Sequence, residues 1–118
     1  MTEPLVVDPA AFKRLEKIDG PQFVEKMISL FRQNVEKQLI EAYAGLESDD
    51  PARIEKASHA IRSSAGNFGA AALHALATEI ETSAAQWDTE TRRDKISELE
   101  EYYQRVNHDL QAYLSENR

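Results

Sequence analysis

Apolar residues recur at intervals of three and four along most of the chain, and that period predicts helices. Val24, Met27, Ile28, Phe31, Val35, Leu39, Ala42 and Leu46 line one face of the longest run. Leu73, Leu76, Ala77, Ile80 and Ala84 repeat the pattern, as do Ile96, Leu99, Tyr103, Val106, Leu110 and Tyr113. Turn and cap residues fall between these runs. Asp8-Pro9 is an N-cap followed by proline at the first helical position, opening a short helix to about Lys17. Asp19-Gly20-Pro21 opens a second, long helix to about Glu47, and Ser48-Asp49-Asp50-Pro51 is a turn that caps a third. Gly69 supplies a glycine stop for the third helix. The fourth runs from about Ala70 to Gln86, and the fifth begins near Asp88 or Thr89. Little in the chain reads as strand.

Four helices of useful length with short connections predict an all-α fold, an antiparallel up-down four-helix bundle. The short N-terminal helix is then an addition lying across one end. A chain of 118 residues is the size of one domain, 1–118, with one modest core. There is no internal repeat and no low-complexity linker. The initiating Met and the missing linker point to a free-standing protein.

The third helix carries the oddity. At about 100° per residue, Ile54, Ala57, Ile61, Ala65 and Phe68 form a narrow apolar stripe, and His59 lies opposite its middle. Glu55 and Arg62 share that outer face, while Ser63, Gly66 and Ala70 leave it bare of bulky side chains. Glycine inside a helix costs about 1 kcal/mol relative to alanine, so Gly66 calls for a reason. Close approach of another molecule to the imidazole is one. Small residues also serve close helix packing, but these three lie away from the apolar stripe.

Composition removes several classes of function. Without cysteine there is no disulfide framework, thiolate zinc site or cysteine nucleophile. A net charge of −7 argues against nucleic acid, which needs a basic face. No apolar run approaches the roughly 20 residues of a membrane span, and the first residues lack a signal-peptide pattern. A cytoplasmic domain that works with other proteins is the expectation. Glu-x-x-His pairs would mark a di-iron bundle, but Lys56, Ala71 and Arg105 stand three residues before the histidines at 59, 74 and 108. No metal site is expected.

The run from Ser58 to Gly69 resembles the signature of histidine-containing phosphotransfer (HPt) domains, the phosphoryl shuttles of multistep two-component signalling. That pattern has a His, a Lys or Arg three residues later, then a small residue, with glycines seven and ten residues past the His. His59, Arg62, Ser63, Gly66 and Gly69 occupy those places; Ser63 departs mildly from the commoner glycine. The helical layout agrees too, so the resemblance covers nearly the whole chain.

The resemblance implies a phosphorelay carrier. His59 would take a phosphoryl group from a receiver-domain aspartate and pass it to another. Arg62 would contact the phosphoryl oxygens, and Glu81 falls where the family can place a residue that orients the imidazole. Alone, Arg62 reads as a solvated cation pairing with Glu55 or Glu79, and Glu81 as a solvated carboxylate. The implied partners are response-regulator receiver domains and a hybrid sensor histidine kinase. Mg²⁺ would sit on the receiver, and this chain would need no cofactor of its own. No Gly-rich phosphate loop or kinase motif is present, so the chain is expected to be a carrier, not an enzyme, and a monomer suffices. Docking candidates are Phe12, Leu15, Phe23, Met27 and Ala60, each also readable as core. The alternative function is a helical module that binds a receiver without phosphotransfer.

Overall fold

The computed structural model describes residues 7–117; the signal-peptide and chain-start readings rest on residues 1–6, outside that range. Four α-helices make up the described chain: α1 (Pro9–Glu47), α2 (Pro51–Ala65), α3 (Ala71–Ser83) and α4 (Thr89–Glu116). Single 3-10 turns, Gly66–Phe68 and Ala84–Gln86, follow α2 and α3, and no strand occurs among the described residues. Each helix packs on the next, and α4 returns to pack on α1, giving a helical bundle.

The expected first and second helices run together as α1, but the backbone breaks where the sequence marks a boundary. Asp19 (φ −158°, ψ 39°) and Gly20 (φ 76°, ψ −173°) are non-helical, a conformation glycine reaches without a Cβ penalty. Pro21 follows at the first position of the renewed helix, where its missing N–H costs nothing. Side-chain caps open α1, α2 and α4, whereas α3 starts after Ala70 without one. Asp8 accepts from the N–H of Ala10 at 3.0 Å, Asp50 from Arg53 at 3.2 Å and Asp88 from Thr91 at 2.7 Å.

The stripes read from the sequence meet at the centre. Phe68 is fully buried, its ring edge-on to Phe31 at 5.3 Å and tilted against Phe12 at 6.1 Å. Phe31 in turn meets Tyr103 at 6.0 Å. A clasp closes this end of the bundle. The Asp8 N–H donates to the Phe68 carbonyl at 3.1 Å, and the Val7 N–H to Asp109 Oδ2 at 3.2 Å. Gly69, at φ 61°, turns the chain beneath this clasp, and a Cβ there would lie 2.6 Å from that of Asp8. Only glycine meets both demands.

Tyrosine–carboxylate bonds stitch α1 to α4. The hydroxyls of Tyr43, Tyr103 and Tyr113 donate to Glu100 (2.8 Å), Glu36 (2.6 Å) and Glu16. Loss of solvent, then the adjacent carboxylate, pushes Tyr43 and Tyr113 up to about 12, and moves Tyr103 upward for the same reasons. An unfolded tyrosine releases its proton near pH 10, whereas the folded ones hold theirs to higher pH. Their contribution is therefore complete below pH 10 and declines as pH rises towards 12. Urea melts should show a midpoint that falls from about pH 10 upward. A Tyr43→Phe/Tyr113→Phe variant should show a shallower fall; an unchanged slope would discount these two pairs.

Candidate functional site

The α2 stripe of Ile54, Ala57, Ile61 and Ala65 is buried, which turns His59 outward with 55% of its side chain exposed. Glu81 reaches it from α3, with His59 Nδ1 2.6 Å from Glu81 Oε1. Arg62, one turn along α2, places Nε 3.1 Å from Glu81 Oε2 and Nη2 3.1 Å from His59 Nδ1. His59, Arg62 and Glu81 thus form a triangle across the α2–α3 seam. The sequence alternatives for Arg62 are engaged elsewhere. Glu55 accepts from the Ala85 N–H at 3.1 Å, and Glu79 pairs with Lys95 at 2.9 Å.

These contacts favour one tautomer of the neutral ring. A carboxylate only accepts hydrogen bonds and a guanidinium only donates. A 2.6 Å contact to Glu81 therefore assigns the proton to Nδ1, which donates to Oε1. Arg62 Nη2 beside the same nitrogen is then a charge contact rather than a hydrogen bond. Its Nε is also out of line with Glu81 Oε2, so that buried oxygen has a nearby cation and no hydrogen bond. No protein group among the described residues bonds His59 Nε2. Its lone pair is free, on an exposed face.

The remaining sequence candidates separate. Ser63 is exposed, but its hydroxyl donates to the His59 carbonyl at 3.2 Å, so it serves its own helix. Gly66 is exposed, and a Cβ there would meet nothing within 4 Å. The fold itself does not require that glycine. Ala70 does not extend the bare surface as expected: it is 1% exposed and belongs to the core. The helical wheel does not reach Ala70, because α2 ends at Ala65 and the turn through Gly69 redirects the chain inward.

The docking candidates also divide. Leu15 is buried, and Phe12 stacks on Tyr113 at 4.3 Å. Phe23, Met27 and Ala60 are half-buried. Asn34 bonds Ser64, and Glu41 pairs with Arg53 at 2.9 Å, which sets His59 level with α1 between residues 34 and 41. Met27 and Phe23 lie about two and three turns beyond Asn34, nearer the clasped end than the imidazole. Leu30, one turn before Asn34, is 50% exposed, and sequence reading passed over it. Its signal was a large apolar residue off the α1 stripe. Ser58 was passed over as well: it is a fully buried polar side chain next to the histidine.

Among the described residues no group of three or more His, Cys, Asp or Glu converges to hold a metal ion, and no helix is long and apolar enough to cross a membrane. A helical bundle presenting an outward histidine with a carboxylate on its inner nitrogen defines a class, and sequence comparison agrees. The Hpt domain family matches residues 26–112, and the chain belongs to that family. It is similar to the phosphorelay protein LuxU of Vibrio vulnificus, in strains YJ016 and CMCP6 alike, at 32% identity over 96 residues, 81% of either chain. No solved structure gives a significant match.

Proposed function

We propose that this protein is a phosphorelay carrier whose His59 Nε2 accepts a phosphoryl group from a receiver-domain aspartyl phosphate and yields it to a second receiver aspartate. The observation that carries the reading is the 2.6 Å contact of Nδ1 with Glu81, which in the neutral imidazole puts the lone pair on Nε2 of a side chain that is 55% exposed. In the transfer, the Nε2 lone pair attacks phosphorus. The acyl P–O bond breaks and its electron pair leaves with the donor's carboxylate. The ring retains its Nδ1 proton and gains positive charge, which Glu81 stabilises at hydrogen-bond distance. Reversal of these steps on a second receiver discharges the carrier.

Arg62 lies close enough to turn from Glu81 to the phosphoryl oxygens and offset their charge. Ser63 and Gly66 leave room for the receiver's active site to close over Nε2, and Leu30 offers an apolar contact at the edge. Mg²⁺ belongs to the receiver, and a hybrid sensor kinase is the source of phosphate. The four helices act as one domain over 1–118, a cytoplasmic monomer, read as an antiparallel up-down bundle with the 9–18 arm as its addition. The meeting of Asn34 with Ser64 and of Glu41 with Arg53 supports opposite directions for α1 and α2.

The test mixes the purified protein with phosphorylated receivers of the same organism and looks for acid-labile, base-stable phosphate on His59. Labelling of that residue is expected; no labelling by any of them would overturn the carrier reading. Gly66→Leu provides a second check. Open space at that position lets the variant fold with no loss of urea midpoint, while transfer slows at least about tenfold, a loss near 1.4 kcal/mol of docking. Transfer at the wild-type rate would remove this account of the glycine.

A further inference from the structure

Two buried side-chain oxygens among the described residues lack a hydrogen-bond partner, Ser58 Oγ and Glu81 Oε2. Both belong to the α2–α3 seam. Residues 55, 58, 59 and 62 of α2 are neighbours at three- and four-residue spacing. Glu55 meets Ala85, while His59 and Arg62 meet Glu81, so Ser58 sits between these contacts and on their buried side. Its side chain is 0% exposed. An unpartnered hydroxyl in such a place is a net cost that alanine would avoid, and it calls for a partner. The chemistry matches: Ser58 has a proton to donate, and Glu81 Oε2 has an empty acceptor position.

We propose that Ser58 is a positioning residue for His59, donating to Glu81 Oε2 directly after a change of its side-chain rotamer or through one buried water. This rests on the carrier reading of His59. Held at Oε2 from the core side, the carboxylate keeps Oε1 aimed at Nδ1, and that contact keeps Nε2 free for phosphorus. Arg62 cannot do this alone. Its Nε is out of line with Oε2, and once it turns to a phosphoryl group it leaves Glu81 without a cation. Ser58 lies beneath both states and does not compete for the phosphate.

The test uses the full chain with ¹⁵N-labelled histidine and reads the neutral tautomers of His59 from its imidazole nitrogen shifts. Ser58→Ala should still fold, with a urea midpoint lowered by no more than the loss of one hydrogen bond. Its ratio of Nδ1–H to Nε2–H tautomer should nevertheless fall about two- to tenfold, the size of one hydrogen bond, and phosphoryl uptake should fall with it. In a Glu81→Gln background the same substitution should change the ratio no further. A wild-type ratio in Ser58→Ala, or an equal change without the carboxylate, would overturn the role of Ser58. The tautomer ratio is read without phosphate, so failure of wild-type protein to take up phosphate overturns the carrier reading separately.

Discussion

His59→Gln should abolish phosphoryl uptake while shifting unfolding stability by no more than about 1 kcal/mol. The amide of glutamine cannot form the N–P bond, so the loss should be complete. Stability should hold because the ring is more than half exposed and its pairing with Glu81 sits at the surface. Such half-solvated pairs contribute about 0–1 kcal/mol. Both halves are measurable on one preparation, by labelling from a phosphorylated receiver and by urea melting. A large fall in the urea midpoint would mean that His59 carries packing as well as chemistry. Undiminished labelling would move the phosphoryl group to another residue.

Phe68→Ala should do the reverse, costing about 3–5 kcal/mol of stability. Phe68 is fully buried where α1 and the turn after α2 converge, touching Phe12 and Phe31. Removing its ring leaves a cavity whose neighbours are themselves large aromatics with little freedom to collapse inward. Against a typical domain stability of about 5–15 kcal/mol, the variant approaches the threshold of folding. Urea melts at 25 °C should show a lower midpoint with an unchanged slope. A loss below about 1 kcal/mol would show that the aromatic cluster relaxes around the gap. Transfer by the folded fraction should remain, because Phe68 does not touch the imidazole.

The helices were legible because period and punctuation agree. Asp8, Asp50 and Asp88 each cap the helix that the apolar pattern called for, and the α2 stripe alone was enough to turn His59 outward. Glu81 came from the family pattern; its 22-residue separation from His59 places it on another helix, beyond the reach of a single wheel. Ala70 failed for a local reason. A wheel assumes an unbroken α-helix, and the 3-10 turn with left-handed Gly69 breaks it five residues earlier than the surface was drawn. Leu15 and Phe12 were apolar enough for docking or for core, and only three-dimensional packing separates those uses. Ser58 was readable in part, since it follows Ala57 and precedes Ile61 by three, both in the stripe. Its missing partner was not readable, because hydrogen bonds across a seam depend on the register of two helices.

The clasp over Gly69 bears on how the protein folds. Val7 and Asp109 are 102 residues apart in sequence, and Asp8 reaches Phe68 across another long interval. Contacts within and between consecutive helices form with small loops, whereas this one closes a loop of nearly the whole chain and repays its entropy late. The four helices can therefore assemble around Phe68 first, with the segment at Val7 and Asp8 locking down afterwards. Weakening the clasp should then speed unfolding and leave the folding rate almost untouched. The lifetime of the native state would then be set by contacts of Val7 and Asp8 that do not touch His59, so the two can be altered independently.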